Sequence, residues 1–303
     1  MYQKPASLLL TVLMALSLSG CGGNAQPPAG TANLTKPTAA ATESTQTQPT
    51  EEPDGFGETV VIDDEQCTFA LTGLGKDSLW GYTLMAQMEN KTDKELMFSL
   101  DNVSINGFMC DPFWAKTVTA GMKANEEIHF SDQDFRMNGI TDVTQITFTL
   151  NIYDSNDLTA DRMVSQVYTL YPKGEEAVLP YARTPVEGEN VLFDNENCTM
   201  IVTGYEPDST WGYRVHVYLE NKTDKNLMFS VSDAAINGMM CDPFWATTVA
   251  PGMRSNTAIS WLTSDLEKNG IEAVESISLP VRVYNEDDWT ADDILSETFT
   301  LTP

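Results

Sequence analysis

The chain has 303 residues and a formal charge of −27, from 44 acidic and 17 basic residues. This length allows two domains with accessory segments. So much negative charge repels nucleic-acid phosphates and anionic lipid head groups, which excludes nucleic acid as a partner, whereas a basic partner or simple solubility remains compatible with it.

The N-terminus, residues 1–20, is predicted to be a lipoprotein signal peptide. Lys4 supplies a minimal positive region, and the apolar residues 6–18 are too few to span a bilayer, which takes about 20. Residues 18–21, Leu-Ser-Gly-Cys, resemble the lipobox of bacterial lipoproteins. The resemblance implies that Cys21 is lipidated and anchors the protein at the extracellular face of the cell membrane. The alternative is an ordinary cleaved signal with a chance cysteine.

Residues 21–56 are predicted to be a disordered tether. Residues 42–54 are mostly Thr, Glu, Gln and Pro without a large apolar side chain, and such a composition cannot offset the entropy of ordering. A flexible chain of roughly 35 residues would lift the next domain about 30 Å from the anchor.

The rest of the chain contains one unit twice, at a shift of 131 residues. Ile105 to Ala115 returns as Ile236 to Ala246, and residues 89–94, Glu-Asn-Lys-Thr-Asp-Lys, return as 220–225. A period above about 100 residues is a duplicated domain, since solenoid repeats have periods of about 20–50. The predicted domains are residues 57–171 and 188–303. They are joined by a linker, residues 172–187, whose three prolines limit flexing.

Alternation of apolar and polar residues predicts seven or eight short strands in the first copy. One apolar face is retained between the copies while the opposite face drifts, which is typical of a strand with one solvated side. That face consists of Tyr82, Leu84, Ala86 and Met88, and in the second copy of Tyr213, Val215, Val217 and Leu219. The predicted strands cover residues 59–63, 67–74, 82–88, 96–105, 108–118, 127–130, 143–153 and 164–170, with an Asn-Gly hairpin at 106–107 and a helical turn at 132–138.

Short strands without a long helix predict an all-β fold of two tandem immunoglobulin-like antiparallel β-sandwich domains, with a closed barrel as the alternative. The Glu-Asn-Lys-Thr-Asp-Lys turn, the Ile-Asn-Gly at 105–107 and the Asn-Gly-Ile at 138–140 before a late alternating strand resemble telokin-like, immunoglobulin-like domains of uncharacterised Gram-positive lipoproteins. The resemblance covers both copies. It implies a surface-displayed β-sandwich, but no established reaction and no catalytic residues.

Four cysteines lie in the two copies: Cys67, Cys110, Cys198 and Cys241. They allow three pairings, and the one that both copies can share internally joins Cys67 to Cys110 and Cys198 to Cys241. Export favours oxidation, and a bridge across a loop of this length contributes about 3–4 kcal/mol. Two disulfides are therefore predicted, with free buried thiols as the alternative. The absence of a Cys-x-x-Cys pattern or a neighbouring histidine disfavours zinc.

The repeated Asp-Pro-Phe-Trp segment is the candidate ligand-binding site. Aromatic rings beside a carboxylate can stack on a sugar ring while the acid accepts hydroxyl hydrogen bonds, or they can anchor a peptide. The alternative is that the aromatic residues cover the end of the sandwich and the proline protects a strand edge. The candidate residues are Asp111, Phe113 and Trp114 with their equivalents Asp242, Phe244 and Trp245.

The sequence contains no established catalytic or phosphate-binding pattern. The two histidines, His129 and His216, occupy non-equivalent positions, and the acidic loops at 154–161 and 285–293 lack the glycine and final glutamate of an EF-hand. We therefore predict no metal or cofactor. We expect a lipid-anchored binding or adhesion module for an unknown protein or glycan ligand. A cell-wall or carbohydrate-active hydrolase or accessory protein, and a structural spacer, are the alternatives.

Overall fold

The structure, a computed structural model, describes residues 57–303 except 78–80, 158, 211, 244 and 289. The predicted signal peptide, Cys21 and the tether lie outside the described residues, and so do Trp80, Trp211 and Phe244. The described residues all belong to one compact unit. None of the helices in these ranges is long and apolar enough to cross a membrane.

The first repeat has two antiparallel sheets and one short helix. One sheet has the order β1-β2-β3-β7; in the other, β4 pairs with β8, β5 and β6, and β8 also pairs with β9. The elements are β1 Thr59–Asp63, β2 Cys67–Asp77, β3 Gly81–Asn90, β4 Leu96–Ile105, β5 Phe108–Met109, β6 Ala115–Val118, β7 Lys123–His129, α1 Asp132–Met137, β8 Ile146–Asp154 and β9 Val164–Leu170.

The second repeat has the same pattern after a single 3₁₀ turn, Glu175–Ala177, in the linker. One sheet has the order β10-β11-β12-β17 and the other β15-β14-β18-β13-β16, with β19 beside β18. The elements are β10 Asn190–Asp194, β11 Cys198–Ser209, β12 Gly212–Asn221, β13 Leu227–Val231, β14 Ala235–Ile236, β15 Met239–Met240, β16 Trp245–Val249, β17 Arg254–Trp261, α2 Thr263–Lys268, β18 Ile277–Asn285 and β19 Leu295–Leu301. The all-β, antiparallel prediction is confirmed.

Each repeat has its own hydrophobic core, to which both of its sheets contribute. The apolar face predicted for β3 is buried, and so is its equivalent on β12. The predicted hairpin is also confirmed, because Asn106 and Gly107 adopt φ values of 52° and 81°, which a two-residue turn between twisted strands requires. Asn237 and Gly238 repeat these angles at 50° and 80°.

A buried asparagine joins the two sheets within each repeat. Asn90, the last residue of β3, donates from Nδ2 to the carbonyls of Lys94 (2.7 Å) and Val118 (2.8 Å). Its Oδ1 accepts from the backbone N–H (3.0 Å) and hydroxyl (2.7 Å) of Thr92. Asn221 makes the equivalent bonds in the second repeat. All four bonding positions of a fully buried amide are thus used, which explains why this turn recurs unchanged.

The two repeats are joined by a contact that we call the junction. The hairpin formed by β4 and β5 lies beside β17, where Phe108 is the parallel partner of Arg254. The Arg254 N–H donates to the Gly107 carbonyl (2.9 Å). The backbone and side-chain N–H groups of Asn256 donate to Asn138 Oδ1, at 3.0 and 3.2 Å. The junction therefore relates the repeats through specific hydrogen bonds as well as through the linker.

The linker packs against the junction. The Tyr181 and Phe108 rings meet edge to face, with their centres 5.0 Å apart. The Arg254 guanidinium lies 4.6 Å from the centre of the Tyr181 ring. The guanidinium of Arg183 lies 4.8 Å from the ring centre of Tyr218. Tyr218 is only 2% exposed. The prediction that this face of β12 is solvated is therefore wrong at Tyr218, because the first repeat and the linker cover it.

The predicted disulfides are absent: Cys67, Cys110, Cys198 and Cys241 are all free and buried. Cys67 lies opposite Asn90 at one end of the first repeat. Cys110 Sγ lies 3.7 Å from Asn138 Nδ2, at the opposite end. A strand of eight or so residues spans about 25 Å, whereas a disulfide needs Cα atoms within about 7 Å. The prediction assumed that equal spacing implies proximity, and the sheet separates the thiols instead.

The asparagine network predicts a large loss of stability in Asn90→Ala. The substitution leaves buried carbonyl and N–H groups without partners, so we expect the free energy of unfolding to fall by about 3 kcal/mol. Urea denaturation of residues 51–303 measures this. Asn156→Ala, in an exposed loop, is the control and should change stability by less than about 0.5 kcal/mol. Equal effects of the two substitutions would refute the structural role of Asn90.

The cysteines predict thiols that are unreactive in the folded state. Burial raises the pKa of both Cys67 and Cys110 to about 12 and that of Cys198 to about 11. Since the thiolate is the reactive form, a thiol reagent at pH 8 should label residues 51–303 only after denaturation, and then at four sites without any reductant. A requirement for reductant would show that the cysteines are paired.

Candidate functional site: a cleft between the repeats

A cleft of about 1250 Å³ lies between the two repeats. Its first wall is the outer face of the sheet containing β4, β8 and β9, together with the coil that follows β5, and its second wall comes from β13, β16 and β17. Because the walls belong to different repeats, the cleft depends on the junction. Its charged and aromatic residues include Asp101, Asp111, Phe113, Trp114, Asp134 and Arg162 on the first wall, and Glu286 and Asp287 on the second.

Phe113 is the most exposed large apolar residue of this wall, with 95% of its surface accessible. Its φ of 49° lies in the left-handed region, which is unusual for a bulky side chain. Asp111 holds this conformation, because its Oδ1 accepts the Phe113 N–H at 2.9 Å. The exposed Phe113 ring adds nothing to the hydrophobic core, although its backbone conformation is strained. We therefore regard Phe113 as the principal candidate contact residue.

Trp114 has a different role from Phe113. It is half-buried against the core of the first repeat, with its ring 6.2 Å from that of Phe69. Its carbonyl accepts the Leu100 N–H at 3.3 Å. Trp114 therefore anchors the segment to the sandwich while its remaining surface lines the cleft. The predicted pair of aromatic residues is thus divided between one packed ring and one exposed ring.

Carboxylates gather on the first wall beside Phe113. Burial and the nearby charge of Asp101 raise the pKa of Asp111, although hydrogen bonds from the Phe113 and Asn102 N–H groups oppose the shift. Burial and the charge of Asp111 likewise raise the pKa of Asp134. Like charges in a partly buried site favour retention of a proton. The two acids therefore hold protons more readily than exposed carboxyls do.

Asp101 is positioned by polar neighbours. Its Oδ2 accepts from Asn151 Nδ2 at 2.5 Å and lies 3.5 Å from Arg162 Nη1. Asn151 also accepts the Ser165 hydroxyl at 2.8 Å. This chain of bonds runs from β4 across β8 to β9, and it fixes the floor of the cleft.

In the second repeat, two residues of the equivalent segment lie away from the cleft. Trp245 is half-buried against the second core, and neither it nor Asp242 belongs to the cleft walls, while Phe244 lies outside the described residues. The position equivalent to Asp101 is Ser232, whereas Asp111 and Asp134 recur as Asp242 and Asp265, so Asp101 is the acid specific to the first repeat. Of the six predicted residues, three therefore line the cleft, Asp242 and Trp245 do not, and Phe244 lies outside the described residues.

Sequence reasoning missed Asp134 and the whole second wall. Asp134 lies in α1, 23 residues after Asp111. The signal that could have found it is its retention as Asp265 in a helix whose other residues differ between the copies. Asn256 and Thr257, which also line the cleft, reach it only through the junction. Contacts between repeats leave no periodic signal in the sequence, because periodicity reports the faces within one sheet.

The acidic loops make mainly internal hydrogen bonds. Asp157 Oδ1 accepts the N–H (3.2 Å) and hydroxyl (2.7 Å) of Thr159, and Asp288 makes the same pair of bonds to Thr290. Within the described ranges, no three or more His, Cys, Asp or Glu residues are grouped so that they could hold a metal ion.

The sequence matches no family model and no curated protein. Function therefore has to be inferred from the cleft itself. Its distinguishing features are an exposed phenylalanine, an excess of carboxylates and walls that come from both repeats.

The conformation of Phe113 predicts that Phe113→Gly stabilises the protein. A left-handed residue with a side chain costs about 1–2 kcal/mol, and the extra flexibility of glycine in the unfolded chain offsets part of that gain. We expect the free energy of unfolding to rise by about 0.5–1 kcal/mol in urea denaturation. Phe113→Ala, which keeps the strain, is the matched control and should give no such gain. A loss of stability in the glycine variant would show that the ring packs on the protein.

The pKa of Asp111 predicts a pH-dependent effect of Asp111→Asn. A carboxyl whose pKa is raised on folding disfavours the folded state once the pH exceeds that raised pKa, and the penalty disappears as the pH falls towards the unfolded value near 3.8. Asp111→Asn should therefore be more stable than the wild type at pH 7, with a difference that shrinks towards pH 4. Urea denaturation across this range measures it, and a difference that grows at low pH would contradict the assignment.

Proposed function

We propose that the protein is a lipid-anchored, surface-displayed binding module, and that the cleft between its two immunoglobulin-like domains binds a cationic segment of a protein partner. The observation that carries this proposal is the exposed, strained Phe113 beside Asp111 at an acidic cleft. An aromatic contact residue within a field of opposite charge to the ligand supplies both affinity and orientation.

The strand order supports the immunoglobulin-like assignment. The strands β2, β3 and β7 correspond to A, B and E of that fold, and β6, β4, β8 and β9 correspond to C′, C, F and G. The second repeat has the same correspondence in β11, β12 and β17, and in β16, β13, β18 and β19. In each repeat the hairpin partner before strand A, β1 or β10, is an addition.

The lipobox-like residues 18–21 and the polar tether support an anchor at the outer face of the membrane. The tether would carry the cleft away from the lipid surface and allow it to meet partners. A formal charge of −27 also keeps the body of the protein away from anionic head groups, which favours presentation over adsorption.

The charges of the cleft indicate the class of ligand. Five carboxylates line the described part of the cleft, and Arg162 is the single basic residue there. Long-range attraction therefore favours lysine- or arginine-containing segments, and the exposed Phe113 ring offers a surface for their aliphatic or aromatic parts. A neutral glycan would gain hydrogen bonds from the acids, but it would not be attracted by the field.

Titration of residues 51–303 with a short lysine-rich peptide without arginine tests this function, with the lysine-acetylated form as the neutral probe. We expect the cationic peptide alone to bind, with affinity that falls as salt screens the charges and as the pH is lowered, because the raised pKa values of Asp111 and Asp134 lead them to take up protons before exposed carboxyls do. Phe113→Gly and Asp111→Asn should each weaken binding about tenfold, or about 1.4 kcal/mol.

Asp242→Asn is the matched control, because it removes the equivalent carboxylate outside the cleft. It should leave the affinity within about twofold of the wild type. If Asp242→Asn and Asp111→Asn weaken binding equally, the peptide responds only to net charge and the proposed cleft site is wrong. Binding of the acetylated peptide with equal affinity would also contradict an electrostatic cleft.

A carbohydrate-active hydrolase is the second candidate, because Asp111 and Asp134 are carboxyls with raised pKa values that share one wall of the cleft. A general acid of a glycosidase needs such a raised pKa beside a second carboxylate. Release of reducing ends from cell-wall glycan, and its loss in Asp134→Asn, would favour this function. No release by the wild type would remove it.

A further inference from the structure

We propose that the junction also forms between molecules, so that copies of this chain assemble head to tail. The internal junction uses one surface of each repeat: the hairpin surface of the first and the strand surface of the second. Because the repeats are equivalent, each molecule carries a second hairpin surface and a second strand surface. The proposed partner is therefore a second copy of this chain, and the proposal does not rest on ligand binding in the cleft.

The hairpin surface of the first repeat consists of Gly107, Phe108 and Asn138. Gly107 provides the carbonyl that accepts the Arg254 N–H, and Asn138 provides the oxygen that accepts both N–H groups of Asn256. Phe108 is buried where the hairpin meets β17 and the linker. A partner of this surface must therefore supply backbone N–H groups to the Gly107 carbonyl and to Asn138 Oδ1, and an apolar contact to Phe108.

The second repeat presents the same surface without a covering element. Gly238, Met239 and Asn269 occupy the equivalent positions, and the hairpin turn has the same left-handed geometry. Met239 and Met240 are 48% and 61% exposed, whereas Phe108 is 5% exposed at the internal junction. These two adjacent methionines form an exposed apolar patch beside the hairpin turn, and nothing in the described part of the chain covers it.

The first repeat presents the complementary strand surface. In the first sheet β7 is the terminal strand, whereas its equivalent β17 is followed in the sheet by β5. Lys123 and Asn125 stand where Arg254 and Asn256 stand in the second repeat. The ion pair beside these residues also recurs. Lys123 Nζ lies 2.9 Å from Glu89 Oε2, and Arg254 Nε lies 3.1 Å from Glu220 Oε1. The N–H donors that β17 offers to the hairpin therefore have counterparts on β7.

The geometry of the internal contact gives an open assembly. A hairpin that binds a different surface on its neighbour makes a heterologous contact, which continues as a filament unless the rotation closes a ring. β1 is at the far edge of the first sheet from β7. Within the described residues, the first repeat therefore begins at the edge opposite to the proposed contact, and no further strand pairs with β7.

The contact between molecules is weaker than the internal one for two reasons. Gln87 replaces Tyr218, so the aromatic group beneath the linker has no counterpart on the first repeat. Glu126 stands where the second repeat has Thr257, and it forms an ion pair with Lys116 that a partner would have to accommodate. Charged residues on an edge strand disfavour pairing. Assembly should therefore require high concentration or screening salt, and confinement to one membrane surface would supply the former.

Sedimentation velocity of the full chain carrying Cys21→Ser, with residues 51–303 in parallel, tests the proposal. We expect the average sedimentation coefficient to rise with concentration, and to rise further in salt of about 0.5 M, where charges are screened within a few ångströms. Glu126→Thr, which restores the residue of the internal junction, should lower the apparent Kd about tenfold. Monomers at every concentration and salt, in the wild type and in Glu126→Thr, would overturn the proposal.

Single-surface variants identify the contact. Met240→Asp should abolish assembly through the hairpin surface, and Asn125→Glu should abolish it through the strand surface. Each variant keeps the other surface, so a mixture of the two should form dimers and nothing larger. Val60→Asp adds the same charge at another exposed apolar residue and should assemble like the wild type. Assembly that survives in both single variants, or a mixture that stays monomeric, would show that the surfaces do not bind each other.

Discussion

The hydrogen bonds of the junction are the constraint on which the arrangement of the two repeats depends. Each repeat can form its own core, since its sheets supply nearly all of the buried residues within it. The relation between the repeats instead rests on Gly107 and Asn138 meeting Arg254 and Asn256, with the linker packed over them. Without that contact, the two walls of the cleft would have no fixed separation.

The two repeats also differ where they meet. The core faces stay apolar although many of their residues differ, as Leu84 and Met88 become Val215 and Leu219, whereas the asparagine networks recur with the same bonds. The outer face of β12 has gained Tyr218 where β3 has Gln87, and the hairpin of the first repeat has Phe108 where the second has Met239. Larger aromatic residues therefore lie on the surfaces used within the chain, and smaller or more flexible ones on those left exposed.

Much of the fold could be predicted from the sequence, because the signals are local. The bounds of β1, β4 and β9 follow from alternation, and the left-handed angles at Asn106 and Gly107 follow from turn chemistry. The disulfides were predicted wrongly, because equal spacing in a duplicated chain says nothing of distance in space. The prediction that the outer face of β12 is solvated was wrong, and the cleft was not predicted at all. Both features depend on contact between the repeats, which leaves no local signal in the sequence.

The candidate site was likewise predicted from the sequence only in part. Asp111, Phe113 and Trp114 stood out in the sequence because the segment is unusual and repeated, but their separate roles did not. Whether a ring packs on the core or faces solvent depends on one backbone angle, and at Phe113 that angle is left-handed. The pKa of Asp111 is raised by burial and by Asp101, and the pKa of Asp134 is raised by burial and by Asp111. These residues lie far apart in the chain, so composition could not reveal the shifts.

The central claim is that the junction holds both repeats as one body and thereby creates the cleft. Spin labels at Asp93→Cys and Asp224→Cys, which occupy equivalent exposed turns of the two repeats, measure it directly, since the native thiols are buried. A pulsed electron resonance measurement on residues 51–303 should give one narrow distance distribution, which broadens when Asn138→Ala and Asn256→Ala remove the side-chain bonds of the junction. A broad distribution in the otherwise unmodified protein would contradict the account.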